Sequence, residues 1–100
     1  MKLQLQHRSI RVRLDRAEFT SLLRGHTLQL DVRHGADALF AIEISGGPGL
    51  ELVRGPQGWR LRLPLADLEA YATTLPRRDG LRYDLGDGLG IDVEVDIRGR

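Results

Sequence analysis

Two arginine pairs with the same spacing are the residues of this sequence best suited to bind a ligand. Arg11 and Arg13 lie in the stretch SIRVRL, and Arg60 and Arg62 lie in the stretch WRLRLP. Residues i and i+2 of a strand project from the same face, and four convergent guanidinium groups would bind phosphate or polyphosphate. The alternative, which we favour, is a hydrated face with exposed cross-strand ion pairs. The carboxylates available to balance such a face are Asp31, Asp84, Glu43 and Glu94.

Acidic residues form a second candidate site near the end of the sequence. Asp92, Glu94 and Asp96 alternate there with hydrophobic residues. Same-face neighbours on a strand lie about 7 Å apart, so adjacent carboxylates of this row are candidate ligands for a hard cation such as Mg²⁺. On an edge strand the same row would stay hydrated and discourage aggregation, and we favour this interpretation because the spacing is not specific for a metal.

Other types of site lack the residues or the spacing that they need. The sequence contains no cysteine, which excludes disulfides and Cys-ligated zinc or iron–sulfur sites. The histidines lie at predicted turns without the spacing of a helical metal site, and no serine has the context of a nucleophile. We therefore predict no cofactor. The sequence leaves open whether the chain is an enzyme.

Charge and hydropathy bear on the partners of the chain. The formal net charge is only +1, and the aromatic residues Phe40, Trp59 and Tyr83 fall on predicted core positions, so we expect no nucleic-acid partner. No apolar run is long enough to cross a bilayer or to form a signal peptide, so we expect a cytoplasmic protein with no membrane partner. The near-exclusive use of arginine over lysine is typical of a GC-rich bacterial genome.

The two arginine pairs belong to a repeat that runs through the sequence. With Arg11 placed on Arg60, hydrophobic and polar positions match in both directions. Four extra residues follow the helix of the second copy, around LPRRD, and the match then resumes. The aligned segments are 9–19 on 58–68, 27–32 on 80–85, and 38–45 on 89–96, the last of which places Glu43 on Glu94. Matching elements in the same order indicate a duplicated half-domain.

Each half is predicted to contain two strands, a helix and two further strands. Stretches such as TLQLDV alternate in the way of antiparallel strands with one hydrated face. The first helix is expected to begin at Asp15, which has capping-box spacing to Glu18, and to end before Gly25. The second is expected to begin near Pro64 and to end at Pro76. Turns are predicted at GGPG, GPQG and GDG, and at the His-Gly pair of the first half.

The area of the predicted sheet decides the architecture. Eight strands make a sheet about 35–40 Å wide, and two helices about 10 Å across cover roughly half of it. We therefore predict an α+β fold in which a mostly antiparallel eight-stranded sheet curls into a barrel or sandwich with two helices. One domain would span residues 1–100, with pseudo-symmetric halves at about 1–46 and 50–97. Homodimerisation is the alternative way to cover the remaining apolar face.

The N-terminal stretch MKLQLQHRSIRVRLDRAEF resembles a family of small bacterial proteins of unknown function. That family opens with K-[IL]-x-[IL] and continues with S-I-R-x-R-L and an acidic residue. The matching positions here are Lys2, Leu3, Leu5, Ser9, Ile10, Arg11, Arg13, Leu14 and Glu18. The later WRLRLP and the closing hydrophobic strand are also similar, so the resemblance covers most of the chain. It implies a shared fold and no particular activity.

The duplicated topology is also similar to that of the triphosphate tunnel enzymes. Those proteins carry an E-x-E-x-K signature near the N-terminus and bind triphosphate and a divalent metal inside a barrel. The corresponding stretch here, KLQLQ, has no acidic residue. A tunnel would also turn the charged faces inward and leave apolar faces wet, at a cost of roughly 25 cal/mol per Å².

Two functions follow as hypotheses. We predict a small non-enzymatic binding or interaction module, whose partner is a second copy of the chain or another protein. The alternative is a phosphate- or polyphosphate-binding hydrolase of the triphosphate tunnel type.

Overall fold

A computed structural model describes residues 1–76 and 79–96 and groups them into two compact units. Unit 1 comprises Met1–Phe19 together with the described residues from Thr73 onward, and unit 2 comprises Thr20–Ala72. The two arginines of the LPRRD stretch and the predicted end of the second half at residue 97 lie outside the described residues.

The order of the elements is the order that the sequence predicts. Within the described residues there are eight strands and two helices, and each half of the chain contributes two strands, a helix and two strands. The elements are β1 (Lys2–Gln6), β2 (Ser9–Leu14), α1 (Arg16–Leu23), β3 (Leu28–His34), β4 (Asp37–Gly47), β5 (Glu51–Gly55), β6 (Gly58–Pro64), α2 (Leu65–Ala72), β7 (Leu81–Asp84) and β8 (Gly90–Val95).

The strands form two four-stranded sheets, one in each unit. The order is β1-β2-β8-β7 in unit 1 and β3-β4-β6-β5 in unit 2. The α+β class and the duplicated ββαββ unit are therefore confirmed, whereas the strands do not form one continuous curled sheet or a closed barrel. Each hairpin is antiparallel, but β2 pairs with β8 in parallel, and so does β4 with β6. Alternation did not reveal this difference, because a strand with one hydrated face alternates whatever the direction of its neighbour.

Each sheet takes one hairpin from each half of the repeat. Unit 1 combines the β1–β2 hairpin of the first half with the β7–β8 hairpin of the second, and unit 2 combines the other two hairpins. The counterparts in the repeat are β1 and β5, β2 and β6, β3 and β7, and β4 and β8. When each strand is replaced by its counterpart, the strand order of one sheet becomes the strand order of the other. The duplication is thus present in the connectivity of both sheets.

The strand registers correct one part of the sequence alignment. Arg11 lies opposite Asp92 in unit 1, and Arg60, its counterpart in the repeat, lies opposite Glu43 in unit 2. Glu43 therefore corresponds to Asp92 and not to Glu94. The alignment was two residues out because the β3–β4 hairpin is longer than the β7–β8 hairpin, and the sequence does not show how much of that difference lies at its tip.

Many of the alternating hydrophobic residues are buried in both units, as expected, but Val32, which alternation placed on the apolar face, is 44% exposed. In unit 2, α2 packs against β4 and β6. The buried hydrophobic side chains of unit 1 are Val12, Leu14, Phe19, Ile91, Val93 and Val95. Those of unit 2 are Leu22, Ile42, Ile44, Leu61, Leu63, Leu68 and Tyr71. No described helix has the length and apolar character needed to cross a membrane.

The ends of the helices follow local sequence signals. The first helix ends as predicted, because Gly25 adopts a φ of 89° and its N–H donates to the Leu22 carbonyl at 3.0 Å. The second helix was predicted to continue to Pro76, but it ends at Ala72 and is followed by a turn at Thr73 and Thr74. Two β-branched residues, followed by the position before a proline, disfavour helical geometry there.

Candidate functional site

The arginine pairs lie on the polar faces of the two sheets. Arg11 and Arg13 are exposed neighbours on β2 in unit 1, and Arg60 and Arg62 are neighbours on β6 in unit 2. The structure thus brings each pair together on its own strand, and the two pairs belong to different units. The anion site of four arginines stays a prediction.

Cross-strand ion pairs cover much of these polar faces. Among the described residues, four ion pairs join side chains directly opposite one another on adjacent strands. They are Arg13 with Glu94 at 4.0 Å, Arg60 with Glu43 at 3.7 Å, Arg62 with Glu51 at 3.9 Å and Arg82 with Asp92 at 2.8 Å. Most of these side chains are partly exposed, so each pair contributes little stability. The hydrated-face interpretation correctly expected such pairs for Glu43 and Glu94, but it also named Asp31 and Asp84, and neither forms an ion pair with a described residue.

Asp92 lies between two arginines and binds one of them. Its Oδ1 accepts a 2.8 Å hydrogen bond from Arg82 Nε. This hydrogen bond, together with the negative charge of Asp92, raises the pKa of Arg82 above its usual value. Arg11 lies opposite Asp92 on the other side, but no carboxylate of the described residues lies within ion-pair distance of it. Among the described residues, therefore, Arg11 has no counter-ion.

Asp92 and Glu94 of the acidic row lie on one face of β8, as predicted, whereas Asp96 follows the end of the strand and the row is not at a sheet edge. β8 is an interior strand between β2 and β7, so the row has no role in protecting an edge. Asp92 and Glu94 are each paired with an arginine, which competes with a cation for their oxygens. Within residues 1–76 and 79–96, no cluster of three or more acidic or histidine side chains is arranged to hold a metal ion. The magnesium site of Asp92, Glu94 and Asp96 stays a prediction.

A shallow depression on the polar face of unit 1 brings a lysine to the arginine pair. It has a volume of about 290 Å³ and is lined by Lys2, Leu3, Gln4, Arg11, Arg13 and Glu94. We call it the cationic groove. Lys2 lies directly opposite Arg13, so two like charges face each other across the β1–β2 hairpin. The sequence interpretation did not include Lys2 among the site residues. The two-residue turn at His7–Arg8 determines that Lys2 pairs with Arg13, so the turn is the sequence signal that could have identified it.

The β3–β4 hairpin extends beyond the rest of the sheet in unit 2. It is four residues longer than its counterpart, as the equivalent pairs Leu30–Ile42 and Tyr83–Ile91 show. The register shifts after Val32, because Val32 pairs with Phe40 and Arg33 pairs with Ala38. Leu39 is left as the extra residue of a β-bulge, and its side chain is 64% exposed. Bulges reorient side chains and are frequent near functional sites.

Two adjoining depressions flank the β5–β6 turn beside this hairpin. Their volumes are about 380 Å³ and 250 Å³, and both include the turn Gly55–Gly58. The smaller is lined by Leu39, Phe40 and Trp59, and the Arg54 guanidinium lies 5.7 Å from the centre of the Trp59 ring. The larger includes Val53, which is 43% exposed. We call the two depressions together the hairpin groove.

One backbone edge of β4 is open along the hairpin groove. β4 pairs with β3 from Asp37 to Ile44, but with β6 only from Ile42 to Gly47. No described strand pairs with the β6-facing edge of residues 37–40. Sequence reasoning assigned Phe40 and Trp59 to the core, whereas both are only half-buried. The sequence does not show how long the β3–β4 hairpin is. Its length places Phe40 beyond the end of β6.

Comparison with known proteins leaves the resemblance to a small bacterial family as a prediction. No protein-family model matches the chain, and no curated protein matches it significantly.

Proposed function

We propose that this chain is a non-enzymatic protein-binding module that holds its partner in the hairpin groove. The observation that carries the proposal is the exposure of Leu39 at a bulge, next to the half-buried rings of Phe40 and Trp59. Exposed apolar surface costs roughly 25 cal/mol per Å², and contiguous exposed patches commonly mark interaction sites.

The partner is a polypeptide segment in extended conformation. The open edge of residues 37–40 offers backbone N–H and C=O groups to an added strand, and the groove beside it offers apolar pockets to alternate side chains. This combination is the recognition mode known as β-augmentation. A second copy of the chain presents the same open edge and is one source of such a strand.

The described polar side chains favour binding over catalysis. None of the described polar or charged side chains is buried. Partial burial tunes the pKa values of catalytic acids and bases, but Asp92, the most buried carboxylate of the described ion pairs at 19% exposure, is already held by Arg82. The hydrolase hypothesis receives no comparable support from an identifiable group of catalytic side chains.

The test is a selection of displayed peptides against the protein and two variants. Leu39→Asp places a charge in the hairpin groove, and Leu5→Asp is the matched control because Leu5 is an equally hydrophobic, 56% exposed strand residue in unit 1. Peptides with alternating apolar residues should bind the parent and Leu5→Asp equally. Their affinity for Leu39→Asp should fall at least tenfold, because a buried apolar contact is replaced by an uncompensated charge.

Sedimentation of the free protein identifies the source of the strand. Self-association that Leu39→Asp abolishes and Leu5→Asp preserves would make a second copy the partner. Failure to enrich any peptide, combined with a monomer at every concentration, would refute the proposal. Equal binding of the selected peptides to Leu39→Asp would refute it too.

A further inference from the structure

We propose that the cationic groove of unit 1 binds a phosphate dianion, either inorganic phosphate or the terminal group of a phosphate monoester. This inference does not depend on the proposed function, because the cationic groove and the hairpin groove belong to different units. The site differs from the four-arginine site of the sequence hypothesis, since it joins one arginine pair to Lys2 and omits Arg60 and Arg62.

The charges that line the cationic groove are not balanced. Lys2, Arg11 and Arg13 line the groove with a single carboxylate, Glu94, which leaves a formal charge of +2. Glu94 approaches Arg13 only to 4.0 Å. No ion pair to a described residue engages Lys2 or Arg11. A phosphate monoester carries about −1.5 to −2 charges near neutral pH and matches this excess.

Two of these like charges lie directly opposite each other. Directly opposed like charges destabilise a pair of strands, yet Lys2 faces Arg13 across the β1–β2 hairpin. The repeat provides an internal comparison, because the corresponding pair in unit 2 is Glu51 with Arg62, which form an ion pair at 3.9 Å. The residue opposite the arginine in the hairpin is thus acidic in unit 2 and basic in unit 1, where the single carboxylate Glu94 faces both Arg13 and the excess charge of Lys2. An anion bound between Lys2 and Arg13 removes the repulsion.

The hydrogen-bond donors of the cationic groove suit a phosphate group. Arg11 and Arg13 are same-face neighbours, so their side chains start about 7 Å apart, and Lys2 lies across the hairpin from Arg13. Guanidinium groups bind two phosphate oxygens at once, and an ammonium group adds a third charged donor. Gln4, which also lines the groove, supplies a neutral amide donor. Three cations around one space suit the three free oxygens of a monoester better than the two of a diester.

The experiment is a titration followed through the side-chain N–H signals of the arginines by NMR. Inorganic phosphate and a simple phosphate monoester are added in separate arms, and chloride at equal ionic strength corrects for screening. We expect saturable shifts of the Arg11 and Arg13 signals in at least one phosphate arm and none with chloride. The arm with the tighter binding identifies the source of the phosphate.

Three variants locate the site. Arg11→Gln and Lys2→Gln each neutralise one cation and should each weaken phosphate binding about tenfold, the value of one charged hydrogen bond of about 1.4 kcal/mol. Arg60→Gln is the matched control, because Arg60 is the counterpart of Arg11 in unit 2 but is paired with Glu43. It should bind phosphate within twofold of the parent.

The outcomes separate this inference from the proposed function. An equal loss in Arg60→Gln and Arg11→Gln would show non-specific attraction and overturn the inference, as would unshifted Arg11 and Arg13 signals in both phosphate arms. Leu39→Asp should bind phosphate normally, since it alters only the hairpin groove. Thermal melting of each variant confirms that the fold is retained.

Discussion

Asp15 and Glu18 satisfy two backbone donors at the start of α1. Asp15 Oδ1 accepts a hydrogen bond of 2.7 Å from the Glu18 backbone N–H, and Glu18 Oε1 accepts one of 2.9 Å from the Asp15 backbone N–H. This is the capping box that the D-x-x-E spacing predicts. The second copy carries Pro64 at the position of Asp15, and proline has no backbone N–H to satisfy. The two copies therefore begin equivalent helices by different means.

Replacing the cap should destabilise the fold measurably. We expect Asp15→Ala to lower the free energy of unfolding by about 1 kcal/mol, because the Glu18 backbone N–H loses its acceptor. Asp15→Asn retains a side-chain acceptor and should lose much less. Urea denaturation of the three proteins gives the comparison. Equal stability of Asp15→Ala and the parent would show that this cap contributes nothing.

At the scale of the elements, the β5–β6 turn depends on a close approach to β4. Gly58 adopts a φ of 128°, and a Cβ atom at this position would lie 2.5 Å from the carbonyl oxygen of Ala41. Both features require glycine. This contact packs the turn against the β3–β4 hairpin. Ala41 and Gly58 line both depressions, so the contact determines the shape of the hairpin groove.

A methyl group at Gly58 should therefore disturb both stability and binding. We expect Gly58→Ala to lower the free energy of unfolding by about 2 kcal/mol, from backbone strain and the clash with Ala41. Gly49→Ala is the control, since a Cβ there meets nothing within 4 Å and the backbone is not left-handed. Thermal or urea unfolding measures the difference. An unchanged stability of Gly58→Ala would contradict the close approach.

The elements were predictable from the sequence, but their partners were not. Alternation and turn residues located the strands, because both signals are local. The parallel pairing of β2 with β8 joins residues about 80 positions apart, and no local pattern encodes such a pairing. For the candidate sites, the arginine pairs were visible as a motif. Lys2 and Leu39 were not, since one becomes relevant through strand register and the other through a bulge.

At the scale of the whole molecule, each sheet needs hairpins from both halves of the repeat. A chain divided between Pro48 and Gly49 separates β1–β4 from β5–β8, and neither piece contains a complete four-stranded sheet. Isolated hairpins are at best marginally stable in water. We expect that neither piece folds as a monomer and that mixing equal amounts restores the strand content of the intact protein.

Circular dichroism and sedimentation of the separate and mixed pieces test this expectation. Structure in a single piece should appear only on self-association and should therefore depend on concentration. Cooperative unfolding of a monomeric piece, independent of concentration, would contradict it. The intact chain serves as the reference for the recovered signal.

The parallel pairing of β2 with β8 also has a consequence for synthesis on the ribosome. Unit 2 is one uninterrupted segment, Thr20–Ala72, and its strands emerge together. Val12 pairs with Val93, so some eighty further residues must be synthesised before β8 can pair with the β1–β2 hairpin. At about 5–20 residues per second, this delay is on the order of 4–16 s. The β1–β2 hairpin thus emerges before the other strands of these two units and gains its neighbouring strand last, and its apolar side chains are available to chaperones throughout that interval.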